Sequence, residues 1–218
     1  MDILNQLKSK ILDWGAFEVG FFNDDFKGYK NGISFYVKMS RDILKEIDNA
    51  PTYTYFHHYR TVNALIDNIA LKTGIFLEKN GYGYFTVPAS QTVNGHDSYE
   101  GIYSHKKGAV LAGLGFVGKS SLFISSKYGS GIRLGTVFTD LDLNAENKPL
   151  ESLCGDCKIC INSCPAMAIS ENGIDRKSCS DYMKKAFQHI GRGSVCGICI
   201  KNCPHNNLRG KLNEKCEM

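Results

Sequence analysis

The chain has 218 residues, 43% hydrophobic and 22% charged, enough for one packed domain plus a small module and too apolar for disorder. No apolar run approaches the ~18 residues of a membrane span, and the polar opening Met1–Lys10 has no apolar leader, so a soluble, cytoplasmic chain with no membrane partner is expected. A formal charge of +4 is small and depends on the state of the thiols, so it does not argue for nucleic-acid binding.

In chain order, Ile3, Leu4, Leu7, Ile11 and Trp14 recur at helical spacing and predict an amphipathic opening helix. Phe17–Phe22 and Ile33–Met39 read as strands, with a polar turn region (Asn23, Asp24, Asp25, Gly28) between them. Arg41–Asp48 reads as a short helix stopped before Pro51. His57–Lys79 has the longest helical pattern, with Val62, Leu65, Ile66 and Ile69 on one face. Gly81–Val87 reads as a strand ending at Pro88, and the polar stretch Ala89–Ser104 as a loop. Leu122–Ser125 and Ile132–Thr139 are further strands, and no internal repeat is evident before residue 150. Mixed helices and strands predict a layered α/β or α+β body over residues 1–150.

All nine cysteines lie between Cys154 and Cys216, so a cysteine-free body is followed by a cysteine-dense module over residues 151–218. Cys154-Gly-Asp-Cys157-Lys-Ile-Cys160-Ile-Asn-Ser-Cys164-Pro165 is a C-x2-C-x2-C-x3-C-P run, the bacterial ferredoxin signature for [4Fe–4S] ligation. Two residues between ligands let a tight turn aim three sulfurs at three corners of one cube, and the fourth cysteine leads away to the other cluster. The second run is Cys179, then Cys196-Gly-Ile-Cys199-Ile-Lys-Asn-Cys203-Pro204, with Ser180–Val195 as an insertion after the displaced first ligand. Crossed assignment gives one cluster Cys154, Cys157, Cys160 and Cys203, and the other Cys164, Cys179, Cys196 and Cys199. Cys216, near a terminus expected to fray, reads as a bystander. A four-cysteine zinc ribbon is the bland alternative, but it has no use for Cys160, Cys164 and Cys203 at this spacing. Eight thiolates around two cores of about +2 each would bring the charge near zero.

Gly113, Gly115 and Gly118 fit G-x-G-x-x-G, and Gly113, Gly118, Lys119 and Ser120 fit G-x4-G-K-[ST]. Both motifs need a strand before and a helix after, so that phosphate meets a helix N-terminus. The residues after Lys119 read as a short strand and a turn, which counts against a nucleotide fold. A P-loop ATPase with a ferredoxin tail stays as a third hypothesis, in which Lys119→Ala would abolish ATP hydrolysis. The glycines serve either a close backbone approach or a pocket for some other cofactor.

The segment Ala112–Lys119, then Leu134-Gly-Thr-Val-Phe-Thr-Asp140, then the two cysteine runs with a separated Cys179 resembles the epoxyqueuosine reductase family and the related corrinoid reductive dehalogenases. The match is specific from about residue 104 to about residue 205 and weak before that. The resemblance implies a nitroreductase-like cofactor-binding core over residues 1–150 and a ferredoxin-like double [4Fe–4S] domain over residues 151–218. It implies electrons from a low-potential donor such as ferredoxin or flavodoxin, passed singly to cobalamin, with flavin the alternative cofactor. It also implies that Gly113, Gly115, Gly118 and Lys119 bind that cofactor. Family members carry a proton-donor aspartate in a V-D-[ST]-x-P segment, whose place here falls on Tyr99, in His96-Asp97-Ser98-Tyr99-Glu100. Asp97, Glu100, Tyr99 and Tyr103 are the stand-ins, and His105 is a further acid candidate or else a surface residue at a helix start. The tRNA-modifying members continue into a helical-repeat domain after the clusters, whereas this chain ends soon after Cys203; it reads as a short form, which counts against tRNA as its substrate. An electron-transfer or corrinoid-activating partner protein with no substrate of its own is the alternative function.

His57 and His58 read as surface or interface residues, and Tyr53, Tyr55, Phe56 and Tyr59 as core packing or a seat for a flat ligand. His205 either tunes a cluster or is a plain loop residue.

Overall fold

The computed structural model describes residues 2–90, 99–191 and 195–206. Helix α1 (Ile3–Asp13) buries Leu7 and Ile11 on one face, as its spacing requires. Strands β1 (Glu18–Phe26) and β2 (Tyr29–Lys38) form an antiparallel hairpin. The polar Asn23–Asp25 stretch lies inside β1 and is not the turn. A register shift falls between Asn23 and Phe26, and the turn is Lys27-Gly28. Both turn residues have positive φ, +52° and +87°, the two-residue geometry that follows strand twist. Phe26 holds the strand's end by packing on Phe138 and Phe85.

Helix α2 (Arg41–Lys45) is shorter than its pattern, with the Ser40 hydroxyl accepting from the Ile43 N–H at its start. Helix α3 (Tyr53–Lys79) starts a turn earlier than expected, where the Tyr55 N–H donates to Thr52 Oγ1. Strand β3 (Tyr84–Val87) follows. Helix α4 (His105–Leu111) leads into the short strands β4 (Gly115–Val117) and β5 (Phe123–Ser125), which pair with each other. Strand β6 (Ile132–Thr139) completes a four-stranded sheet of order β1-β2-β6-β3, in which β3 and β6 are antiparallel. Gly32–Val37 of β2 is buried without alternation, the mark of a central strand covered on both faces. Beyond residue 150 come α5 (Ile159–Asn162), the small hairpin β7 (Ile169–Ser170) and β8 (Gly173–Ile174), α6 (Arg176–Gly191) and α7 (Ile198–Asn202). The stretch after Cys179 is thus helical, with a kink at Phe187.

The chain divides into two compact units. The first comprises Met1–Lys38, Thr61–Gly115 and Arg133–Leu150. Its core gathers Leu7, Ile33, Phe35, Ile66, Ile69 and Val137, all at most 1% exposed. The second comprises Met39–Arg60, Phe116–Ile132 and Glu151–Met218, so two segments from the cysteine-free part join the cysteine module. Its core gathers Met39, Leu44, Ile47, Tyr55, Ile198 and Ile200, with Cys196 and Cys199 packed against it. Tyr55 is therefore a core residue, whereas Tyr53 is 59% exposed. His58 is tied in as well, because its Nε2 accepts the Ser40 N–H at 2.8 Å, a contact a pure surface histidine would lack. Among the described residues no helix is long and apolar enough to cross a membrane.

Candidate metal centres

The two compact cysteine runs fold alike. The Cys157 N–H donates to the Cys154 carbonyl at 2.9 Å, closing a turn in which Gly155 has φ +43°. Cys160 then rides on α5 and Cys199 on α7. The Cys164 carbonyl accepts the Met167 N–H at 3.0 Å, and the Cys203 carbonyl accepts the Asn206 N–H at 2.9 Å, so each proline after the last cysteine sits in an equivalent turn. Gly197, at φ +83°, starts α7 against Ile47 and Tyr55, where a Cβ would stand 2.8 Å from either. Cys179 lies in the first turns of α6, whose start is capped by Asp175 accepting from the Ser178 N–H and hydroxyl. The Ser178 bonds hold the Asp175 carboxyl below its usual range.

The thiols sort by which neighbours they sense. Burial pushes Cys160 up, Cys154 and Cys157 add to it, and the N–H groups of Cys160 and Ile161 oppose it. Burial pushes Cys203 up to about 11 against the His205 N–H and the Ser130 hydroxyl, with Cys154 and Cys160 adding to it. Burial pushes Cys179 up to about 11, reinforced by Cys196, Cys164 and Asp175. Burial also raises Cys196 against the Ile198 N–H, with Cys164 adding to it. Cys199 stands well above the usual thiol range through burial, then through Cys196, Cys179, Cys164 and Cys160. Cys160 and Cys203 thus both sense Cys154, and Cys179, Cys196 and Cys199 all sense Cys164, while Cys199 also senses Cys160. Among the described residues no three His, Cys, Asp or Glu side chains converge closely enough for a single metal ion. Cys216 lies outside the described residues.

Sequence reasoning missed the clamp behind Cys203. The Gly131 N–H donates to Asn206 Oδ1 at 3.0 Å, Asn206 Nδ2 donates to the Ile200 carbonyl at 3.1 Å, and the Ser130 hydroxyl donates to the same carbonyl at 3.2 Å. Gly129 has φ +70°, and a Cβ there would overlap the His205 carbonyl oxygen. The one visible signal was the Gly-Ser-Gly spelling of residues 129–131. Two buried polar atoms beside cysteines have no hydrogen-bond partner among the described residues, Ser163 Oγ next to Cys164 and His205 Nε2 two residues past Cys203.

The glycine loop is not built as a phosphate cradle. A helix precedes it: the Gly113 N–H donates to the Val110 carbonyl and the Leu114 N–H to that of Ala109, both at 3.0 Å, so Gly113 (φ +69°) terminates α4. Gly115 opens β4. Gly118 begins the β4–β5 turn, its N–H donating to the Leu122 carbonyl, and a Cβ there would stand 2.6 Å from Ile124 Cδ1 and 3.1 Å from Cys154 Sγ. Lys119 Nζ pairs with Glu171 Oε2 at 2.6 Å, and Lys158 reaches Glu171 Oε1 at 3.3 Å. The Glu171 hydrogen bond raises the Lys119 ammonium above its ordinary range.

Of the acid candidates, Asp97 lies outside the described residues, and Tyr99 is 37% exposed. Tyr103 donates to Asp24 Oδ2 at 2.8 Å, where Lys107 also pairs at 2.6 Å; burial and then the Asp24 bond hold its phenol well above the usual range. His105 Nε2 lies 2.9 Å from the Pro88 carbonyl and Nδ1 lies 2.8 Å from Thr136 Oγ1. A carbonyl only accepts, so Nε2 carries the proton and Nδ1 accepts from the threonine. Burial lowers the His105 pKa, so the ring is neutral near pH 7.

No protein-family model matches the chain. In sequence it is 45% identical over 109 residues to the epoxyqueuosine reductase of Aliivibrio fischeri, covering 45% of this chain and 29% of that protein. It is 31% identical over 160 residues to the tetrachloroethene reductive dehalogenase of Desulfitobacterium hafniense, covering 64% of this chain and 27% of that protein. The matches thus span about a third of their relatives' length or less. An epoxyqueuosine reductase solved with an epoxyqueuosine-modified tRNA-Tyr stem loop superposes with TM-score 0.63 at 17% identity, over 93% of this chain and 66% of the other. A reductive dehalogenase whose structure suggested a mechanism for B12-dependent dehalogenation superposes with TM-score 0.72 at 18% identity, over 92% and 31%. The mixed α/β fold is shared with both groups, and the resemblance read from the loop and the cysteine runs is borne out.

Proposed function

We propose that this chain is an iron–sulfur reductase in which two [4Fe–4S] clusters pass single electrons to a bound redox cofactor, cobalamin, for a reductive reaction. The observation that carries this reading is the nearness of Cys160 and Cys203 to Cys154 and of Cys179, Cys196 and Cys199 to Cys164, neighbours that the crossed pattern of a two-cluster ferredoxin requires. Residues 1–150 would then form the nitroreductase-like core and residues 151–218 the ferredoxin-like domain.

The donor set fits the clusters. Each proposed quartet would supply four thiols, and Ser163 beside Cys164 and His205 two residues past Cys203 each have a buried polar atom with no partner among the described residues, which a cluster sulfide could accept from. A cubane seats its four cysteine sulfurs on four different irons, so its ligands stand farther apart than those of a single metal ion. When bound, the clusters supply low-potential one-electron chemistry. Cys154, Cys157, Cys160 and Cys203 would hold one, and Cys164, Cys179, Cys196 and Cys199 the other. Thiols raised by burial lose their protons only to a metal, so assembly releases protons.

Cobalamin rests on the relatives, one of which is described through B12-dependent dehalogenation. Gly113, Gly115, Gly118 and Lys119 do not fit as its anchor, because a helix end, a strand, a tight turn and an ion pair already commit them. The proton for a reduction is assigned to the segment 97–105, where Tyr99 is exposed and His105 has both ring nitrogens engaged. A ferredoxin or flavodoxin would supply electrons. The stem loop bound by one structural neighbour keeps tRNA among the candidate substrates, beside organohalides.

The test is metal analysis of anaerobically purified protein after incubation with cobalamin and desalting. About eight irons and about one cobalt per chain are expected. Iron without cobalt reassigns the chain to a flavin enzyme, an electron carrier or a corrinoid-activating partner. Zinc in place of iron overturns the reading.

A further inference from the structure

We propose that His205 donates a hydrogen bond from Nε2 to the cluster held by Cys154, Cys157, Cys160 and Cys203, and so sets that cluster's potential above the value its cysteines alone would give. The inference rests on the iron–sulfur reading of the two quartets. The backbone places His205 with little freedom. Its N–H faces the Cys203 sulfur, its carbonyl lies against Gly129, and the next residue, Asn206, is bonded to Gly131 and Ile200. The ring meets Phe116 edge to face at 5.7 Å and 86°. With all this contact, Nε2 is buried and has no hydrogen-bond partner among the described residues. A buried ring nitrogen without a partner costs free energy; taken as the N–H of the neutral ring, Nε2 calls for an acceptor that the described residues do not supply. Two residues from a cluster ligand, that acceptor is a cluster sulfur.

The electronic consequence has a definite sign. A four-thiolate cubane passes from about −2 to about −3 on taking one electron, and a donated hydrogen bond stabilises the more negative state. One electron enters, no proton is transferred, and the potential rises. The partner quartet has no counterpart histidine, because Ala166 and Met167 follow Cys164-Pro165 where His205 and Asn206 follow Cys203-Pro204. The device is therefore expected to raise one cluster of the pair.

The test uses the anaerobic holoprotein and His205→Phe, which keeps an aromatic ring without the N–H. Redox titration followed by electron paramagnetic resonance should show one cluster's potential lowered so that its oxidised-to-reduced ratio at fixed potential rises about tenfold, about 59 mV for one electron. The other cluster should not move. His205→Gln, which can still donate, should recover part of the shift. Both potentials unmoved in a His205→Phe protein that keeps its iron would overturn the inference. Should that variant lose iron, pulsed resonance on wild type labelled with 15N-histidine decides: a histidine nitrogen coupled to one reduced cluster is expected, and its absence refutes the bond. A wild-type protein without clusters would instead overturn the iron–sulfur reading.

Discussion

Gly129→Ala is the sharpest probe of the clamp behind Cys203. Gly129 has φ +70°, which costs an alanine about 1–2 kcal/mol. The new methyl would also overlap the His205 carbonyl oxygen and the Asn206 Cα, which are backbone and cannot swing aside. Forcing an extra carbon into packed surroundings adds about 1–3 kcal/mol, for a total near 2–5 kcal/mol. Gly81→Ala is the matched control, with φ +85° and nothing within 4 Å of the added carbon, so it should cost only the ~1–2 kcal/mol of the backbone. The displaced turn carries Cys203, so the clamp variant should also drop from about eight irons to about four while the control keeps all of them. Denaturant unfolding of the anaerobic holoproteins and iron analysis read both effects. Equal losses for the two variants, or full iron in Gly129→Ala, would show that the clamp does not hold the cysteine.

Cys157→Ser and Cys199→Ser should each remove about four irons, from different quartets, and Cys216→Ser should remove none; unchanged iron in the first two would sink the ligand assignment. Burial lowers the His105 pKa, and the same cause lowers that of His58. The unfolded chain then binds protons that the folded chain does not, so stability falls as pH drops below the free histidine value of about 6.5 and continues down to the folded pKa. The slope is at most about 1.4 kcal/mol per pH unit for each histidine, and His105→Asn should flatten its share; a flat wild-type profile between about pH 5 and about pH 6.5 would contradict the buried neutral ring.

The cysteine spacings were legible because ligation turns are local: Cys154 and Cys157 bond to each other's backbone three residues apart, and Cys199 lies on a helix of its own run. The opening helix was legible for the same reason, as one helical period runs through it, and β6 was legible as a short apolar run buried along most of its length. The glycine loop was legible only through its flanks, because G-x-G-x-x-G is a string and the strand and turn read after Lys119 already counted against a nucleotide fold. Here a helix stands before it and a β-turn after, so the same letters give a helix terminus and a hairpin. Asn23–Asp25 looked like a turn because polar residues usually are, yet Phe26 beyond them has an aromatic pocket to fill. His105 with Thr136, and Gly131 with Asn206, join residues 31 and 75 positions apart, which no local pattern encodes.

On the proposed reading the two clusters hold the protein together in different ways. The quartet with Cys196 and Cys199 packs into the apolar core with Ile43, Phe56, Tyr59 and Tyr182, so its ligands are also core residues. The quartet ending in Cys203 is held by turns: Gly118 against Cys154, the Gly129–Gly131 clamp, and hydrogen bonds through Asn206. Removing a core-embedded cluster leaves a cavity lined by raised, protonated thiols and takes apolar contacts with it. Removing a turn-held cluster frees loops and leaves the core packed. Cys199→Ser should therefore cost the unit its cooperative unfolding, whereas Cys157→Ser should cost iron first and stability second. That difference would separate the core-embedded cluster from the turn-held one by unfolding alone, before any substrate is known.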